Sequence, residues 1–318
     1  MKRGSLSLLI PVFNHEKYLP ELFRSVEQQS RPPDEILVSD DDSDDGSAQM
    51  VESWARFHGN IRFFRQAKNL GITENSNFLI RQAAGDYVMT LHSDDCLGGR
   101  QALEKMAEVL DRHPSVALVT SLRQKIDAQS RELNVEAPLP PGRYPRDGIL
   151  HRILTTEANP VGEPSAVIFR KAALPAGFDS SYRQLWDLWG WLDILKWGDL
   201  AVLDQPLVRI REHAGQATHR HAQVGQGIAE HLRLFGILLG EADRVLARRE
   251  KSVLLHKLSQ TARRHRSQLS AEAEKSLREA KAGIPWWVYL TDLCRHRFEK
   301  LRSTGVPSLP RHRVPAST

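Results

Sequence analysis

Carboxylates gather at three places in this chain, and a histidine follows the last of them. Asp40-Asp41-Asp42-Ser43-Asp44-Asp45-Gly46 comes directly after an apolar run; Asp94-Asp95 closes Leu91-His92-Ser93; Asp187 opens a tryptophan-rich stretch; His213 ends Arg209-Ile210-Arg211-Glu212. Crowded carboxylates repel one another, so such clusters need a cation, a hydrogen-bond donor ligand or water. Sets of oxygen donors suit Mg²⁺ or Mn²⁺. A carboxylate beside a hydroxyl group can also take its proton. Each feature has a plainer reading. The 40–45 run could be a turn that caps a helix and meets its dipole. Asp94-Asp95 could be a solvated loop, and Asp187 a helix N-cap.

The surrounding pattern says what must hold these groups. Leu6–Phe13 is a short apolar run broken by Pro11 and Asn14, which predicts a buried strand ending in a loop. Glu16–Gln28 carries Tyr18, Leu19, Leu22, Phe23 and Val26 at helical spacing. Pro32-Pro33 marks a turn. Further strands are predicted at 35–39, 61–65, 87–91, 116–120, 165–169 and 201–204. Helices are predicted at 47–57, 73–84, 101–112 and 187–197, with Thr73 as the N-cap of its helix. Residues 129–148, rich in proline, glycine and charge, read as a long loop or insertion. Strands alternating with helices predict an α/β fold whose sheet is mainly parallel and covered on both faces. In such a sheet ligands bind at the carboxyl ends of strands, and that is where the acidic clusters fall.

Composition bounds the class. The chain has 318 residues, 41% of them hydrophobic and 26% charged, with a net charge of +5. Its two cysteines, Cys96 and Cys294, cannot make a disulfide framework or a four-thiolate zinc site. The start MKRGSLSLLIPVFNHE lacks a small-residue cleavage site, and no run approaches 18 apolar residues. These features predict a soluble cytoplasmic protein. The charge divides unevenly: residues 1–220 sum to −4 and residues 221–318 to +9. That predicts a catalytic domain over 1–220, a helical basic region over 221–303 and a disordered tail over 304–318. In the basic region, Arg263-Arg264-His265-Arg266 and the aromatic run Ile284–Leu290 suit an anionic membrane surface. The plainer expectation is a helical appendage packed on the catalytic domain or on a second copy of the chain. No nucleic-acid-binding pattern is present.

Four stretches taken together are more specific than any one of them. LSLLIPVFN, EILVSDDDSDDGS, NLGITENSNFLIRQAAGDYVMTLHSDD and GFDSSYRQLWDLWGWLDILKWGDLAVLDQPLVRIREH occur in this order over about residues 5–215. In these stretches the chain resembles the family 2 glycosyltransferases. The resemblance implies the GT-A fold, a nucleotide-diphosphate sugar donor, most often a UDP-sugar, and inversion at the anomeric carbon. Residue by residue, it implies that Pro11, Val12, Asn14, Asn69 and Ser93 shape the nucleotide-sugar site. Asp41 would accept a hydrogen bond from the base. Asp94 would lie near the donor ribose or sugar and belong to the acidic metal motif, Asp95 would bind Mn²⁺ or Mg²⁺, and His213 would approach the metal and diphosphate. Asp187 would be the catalytic base.

The chain also departs from the family's pattern. His92 stands where the metal motif often has its first acid, Trp186 replaces the acid before the base, and Ser76 replaces an arginine that contacts phosphate. Trp186, Trp189, Trp191 and Trp197 either pack beneath the acceptor site or form its wall. His219 and His221 suggest a second metal site only weakly. The acceptor could be a glycan, a lipid-linked glycan or a protein in bacterial-type glycan synthesis, with peripheral contact at the inner membrane. Two rival readings stand beside this one. A degenerate nucleotide-sugar-binding module would account for His92 and Trp186. A sugar-1-phosphate nucleotidyltransferase would want a glycine-rich basic loop where this chain has Pro11-Val12-Phe13-Asn14.

Overall fold

The computed structural model describes residues 3–213 and 226–265, with Lys275 and Arg278 beyond them. His219, His221, the 284–290 run and the 304–318 tail lie outside the described residues. Ten strands form one sheet: β1 (Leu6–Val12), β2 (Glu35–Asp40), β3 (Ile61–Arg65), β4 (Tyr87–Thr90), β5 (Cys96–Leu97), β6 (Val116–Asp127), β7 (Glu132–Glu136), β8 (Gly142–Tyr144), β9 (Val167–Arg170) and β10 (Asp199–Glu212). The main path runs β3-β2-β1-β4-β9-β6-β10-β5, with β7 on β6 and β8 on β10. Helices α1 (Leu19–Glu27), α2 (Ser47–Ala55), α3 (Ile72–Gln82), α4 (Ala102–Arg112), α5 (Arg146–Thr156) and α6 (Trp186–Ile194) cover its faces. Two more, α7 (Gln226–Leu238) and α8 (Arg248–Arg264), follow in the C-terminal part.

The block β3-β2-β1-β4 is parallel, as the strand–helix alternation requires. The sheet also holds antiparallel strands. β9 is wedged antiparallel between β4 and β6, while β10 returns parallel to β6. An antiparallel strand enters from the edge where its parallel neighbours end. The segment leading into β9 therefore lies at the carboxyl edge, next to the end of β4.

Several elements differ from the sequence expectations. Helix α3 begins at Ile72 with Gly71 (φ 83°) before it, and Thr73 donates to the Tyr182 carbonyl instead of capping. The 129–148 region is no plain loop: it holds β7, β8 and the start of α5. Two long strands were seen only in part, since β6 runs for 12 residues and β10 for 14. Both extensions carry alternating charge that masks an apolar run.

Two apolar layers sandwich the sheet. One joins α1, α2 and α4 to it through Leu22, Phe23, Trp54, Leu103 and Met106. The other joins α3, α5 and α6 through Leu79, Ile153 and Trp191, and it continues into Leu232, Phe235, Leu238, Leu254, Leu255 and Leu258 of α7 and α8. The described C-terminal helices thus share the catalytic core. Among the described residues, no helix is long and apolar enough to cross a membrane.

Candidate active site

Strand β1 pairs with β2 on one side and β4 on the other, so the strand order switches between β1 and β4. A crevice is expected at that point, at the carboxyl ends. The loop after β1 is built to turn there. Asn14 takes a left-handed φ of 54°, a conformation asparagine tolerates. Its N–H donates to Ser43 Oγ at 3.0 Å and its Oδ1 accepts the Asp44 N–H at 3.0 Å. The His15 N–H donates to Ser47 Oγ at 3.0 Å, and the Glu16 N–H donates to Asp45 at 3.1 Å. Much of the acidic run therefore stitches two loops together. Across the switch point, His15 Nδ1 lies 2.8 Å from Ser93 Oγ, joining the ends of β1 and β4.

Asp41 is buried at the end of β2, and its two carboxylate oxygens accept the N–H groups of Leu70 (2.7 Å) and Gly71 (2.9 Å). Asn69 Nδ2 donates to the Asp41 carbonyl at 3.0 Å. Burial pushes the Asp41 carboxyl up against the pull of those two N–H groups. The pair expected at the nucleobase, Asp41 and Asn69, is thus brought together by the loop before α3. Each carboxylate oxygen keeps a second lone pair for a ligand.

Asp94 and Asp95 are both buried. Register explains what meets them. β5 pairs antiparallel with β10, Cys96 opposite Arg209. Continuing that register brings Arg211 and His213 to the acids. The Arg211 N–H donates to Asp95 Oδ1 at 2.8 Å, and its Nε donates to the Asp94 carbonyl at 2.7 Å. The Arg211 guanidinium also reaches Glu21 on α1 at 2.6 Å, fastening helix to strand. His213 Nε2 lies 3.0 Å from Asp94 Oδ2. Burial opposes ionisation of Asp94, but that bond and the fields of His15, His92 and His213 outweigh it and hold the carboxyl down at about 2. Asp95 is pushed up, by burial first and by its neighbour Asp94 second. A carboxylate that stays charged next to imidazoles is the better standing donor to a cation.

The residues fit a divalent ion by their chemistry. One ring nitrogen each from His15 and His213 and an oxygen of Asp94 lie within 4.8 Å of one another; His92, Asp94 and Asp95 form a second such group. In the second group, Asp95 also interacts with the Ser165 hydroxyl, besides taking the Arg211 N–H. The three residues expected at the metal, Asp94, Asp95 and His213, are therefore neighbours, with His15 added.

Asp187 lies in the first turn of α6. Its Oδ1 accepts the Leu188 N–H at 2.8 Å and its Oδ2 accepts from Asn159 Nδ2 at 3.0 Å. Burial raises its carboxyl to about 7; the Glu163 charge adds to this, and the Leu188 and Asn159 donors oppose it. A carboxylate near neutrality suits general-base work. Asn159 is itself oriented, because its Oδ1 accepts the N–H groups of Val161 and Gly162, each at 3.1 Å. Its amide nitrogen must then face Asp187.

Segment 159–165 was missed as functional from sequence. It serves the acids and the base together. Ser165 Oγ accepts the His92 N–H at 2.9 Å. Glu163 pairs with Arg123 and with Lys125 (2.9 Å), and although burial opposes it, those cations hold Glu163 at about 2. The Gly162 carbonyl accepts from Trp191 Nε1 at 2.9 Å. The one available signal was the punctuation Asn159-Pro160-Val161-Gly162-Glu163-Pro164, which marks a shaped turn.

Two of the three departures from the family pattern meet in space: the His92 and Trp186 rings lie 6.3 Å apart. Burial lowers the His92 pKa, against the pull of the Asp94 and Glu163 charges. Trp186 and Trp191 are buried against Phe178, Trp189 stacks on Tyr182, and Trp197 is exposed. Packing thus accounts for most of the tryptophan-rich stretch. α7 adds a further prop, since Glu230 accepts the N–H groups of Arg183, Gln184 and Leu185 at 2.8–3.2 Å, just ahead of Asp187.

Acids, histidines and a raised carboxyl thus gather at the carboxyl edge of a mixed sheet. The model of the Glycosyl transferase family 2 matches residues 7–178, more than half of the chain, and the protein belongs to that family. It is a glycosyltransferase. An uncharacterised Mycobacterium tuberculosis protein, MT1568, is 28% identical over 246 residues, spanning 74% of this chain and 75% of its own length. The poly(ribitol-phosphate) β-N-acetylglucosaminyltransferase TarS of Staphylococcus aureus is 32% identical over 120 residues, 37% of this chain but 21% of TarS. The structure of S. aureus TarS with UDP-GlcNAc superposes with a TM-score of 0.62 at 22% identity, covering 87% of this chain and 79% of that one. A mannosyltransferase from Pyrobaculum calidifontis, solved with GDP-Man and Mn²⁺, gives a TM-score of 0.54 at 19% identity, over 96% and 82%. These likenesses establish the GT-A fold.

Proposed function

We propose that the chain is an inverting glycosyltransferase that moves a sugar from a nucleoside-diphosphate donor, a UDP-sugar, to an acceptor hydroxyl. The observation that carries this is Asp187, a carboxyl raised to about 7 and held by Asn159 and Leu188 near the end of β4. Asp41, with Asn69, Pro11, Val12 and Asn14 around it, receives the nucleoside. Asp94 and His213, with Asp95 behind them, would hold Mn²⁺ or Mg²⁺, which supplies Lewis-acid stabilisation of the diphosphate leaving group. Asp187 takes the proton of the acceptor hydroxyl as the new glycosidic bond forms, a contribution of about 10²–10⁴-fold. Attack from the face opposite the leaving group inverts the anomeric carbon.

The acceptor class is a bacterial-type glycan or glycoconjugate. TarS, which modifies poly(ribitol-phosphate), and a Campylobacter jejuni glucosyltransferase acting on an undecaprenol-linked glycan support that class. Residues 1–220 act as the catalytic unit, with α7 and α8 as a buttress. The enzyme works in the cytoplasm, with peripheral membrane contact through the basic C-terminal residues. A panel of nucleotide sugars incubated with Mn²⁺ should reveal one donor that is hydrolysed or transferred. Asp187→Ala should abolish transfer and leave UDP binding intact. If the wild-type protein binds no nucleotide in the presence of either metal, the reading fails. Nucleotide binding with no turnover of any donor would favour the degenerate binding module.

A further inference from the structure

We propose that His15 is a third protein donor to the divalent cation, completing a two-histidine, one-carboxylate set that favours Mn²⁺ over Mg²⁺. This rests on the metal site proposed above and goes beyond it, since the loop after β1 carries nucleotide-shaping expectations only. The grouping of His15, Asp94 and His213 within 4.8 Å comes from three separate elements: the β1 loop, the end of β4 and the end of β10. Their convergence is enforced by structure that does not involve a metal. The His15 backbone is fixed on Ser47 Oγ at 3.0 Å, and the His213 imidazole is bonded to Asp94 at 3.0 Å. The two imidazole rings stand 5.7 Å apart, nearly perpendicular at 81°.

Ser93 supplies the outer support that metal-binding histidines ordinarily have. Its hydroxyl lies 2.8 Å from His15 Nδ1. With Nδ1–H donating to that oxygen, the ring carries its lone pair on Nε2, the nitrogen that would meet the cation. Ser93 is thereby a positioning residue for His15. The alternative group of His92, Asp94 and Asp95 is less suited, because Asp95 Oδ1 is held by the Arg211 N–H and His92 packs toward Trp186.

Ligand type decides the ion. Mg²⁺ holds its waters and prefers oxygen donors, whereas imidazole nitrogen is acceptable to Mn²⁺ and better still to later first-row ions. Two imidazoles and one carboxylate leave positions for diphosphate oxygens and water, as the reaction requires.

The test is a count of nitrogens. The full chain is loaded with Mn²⁺ and UDP, and the ¹⁴N couplings to the metal are read by pulsed electron paramagnetic resonance. The wild type should show two coupled imidazoles, and His15→Gln and His213→Gln one each. Calorimetry should show Mn²⁺ affinity falling about tenfold or more in His15→Gln, with Mg²⁺ affinity changed far less. His15→Asn, which keeps a polar group near Ser93 but offers no imidazole, should behave as His15→Gln does; circular dichroism checks that both variants fold. A single coupled nitrogen in the wild type overturns the proposal and leaves the metal reading standing. An unchanged nitrogen count in both His15 variants does the same. Absence of Mn²⁺ binding with UDP present overturns the metal reading and this proposal together.

Discussion

Replacing Asp187 by asparagine should abolish transfer and stabilise the fold, and the stabilisation should grow with pH. The native carboxyl sits at about 7, against an ordinary value of 3.8. An acid whose pKa is raised by folding weakens the folded state as pH climbs. The penalty is absent below the unfolded value, grows between the two values, and is complete above the folded one. The gap amounts to about 4 kcal/mol above pH 7 and about 1 kcal/mol at pH 4.5. Asparagine removes this penalty but meets a conflict, because its amide nitrogen would face Asn159 Nδ2, now 3.0 Å from Asp187 Oδ2. A mismatched donor costs about 1–2 kcal/mol. The net expectation is a gain of about 2–3 kcal/mol at pH 8.5 and roughly none at pH 4.5. Urea titrations of both proteins at the two pH values measure it, with UDP binding as the check on the site. Equal effects at both pH values would refute the raised carboxyl, and retained turnover would refute the base.

Three further outcomes follow from the same contacts. Transfer should fall on the acid side with a limb near pH 7; Asn159→Asp, which keeps the turn acceptor but sets a second carboxylate against Asp187, should move that limb up by about one unit or more in a kcat–pH profile. Glu230→Ala removes the acceptor for three N–H groups ahead of α6 and should lower kcat more than it raises the donor KM, as steady-state kinetics will show. Leu258→Ala on α8 should cost about 2–5 kcal/mol in a single unfolding transition shared with the sheet, since Leu258 is fully buried in the common core. A separate early transition in calorimetry would show α8 to be an independent appendage.

The acids of the candidate site were legible as a group because most of them follow strands whose apolar runs announce them. Asp41, Asp94 and Asp187 each stand where a strand ends or a helix begins, and hydrophobic period fixes such places locally. The charge division was equally visible, and α7 and α8 pack on the sheet's helices as the plainer expectation had it, but that Glu230 props α6 was not visible. That contact joins residues 45–47 positions apart in sequence, and no local pattern encodes it.

What the sequence determined by itself was the alternation of strands and helices, the loops that carry the acids and the family to which their order belongs. What only the tertiary structure decided was which acid stays charged, which is raised, and who stands beside them. Asp94 and Asp95 are adjacent in the chain, yet one is held at about 2 and the other pushed up, because His213 faces the first while burial and its neighbour's charge act on the second. His15, Asn159 and Ser165 enter the site only because β1 ends beside β4 and because β9 runs antiparallel, bringing its approach to the carboxyl edge. Proton affinity and metal geometry depend on distances of a few ångströms between residues far apart in the chain, and strand register sets those distances.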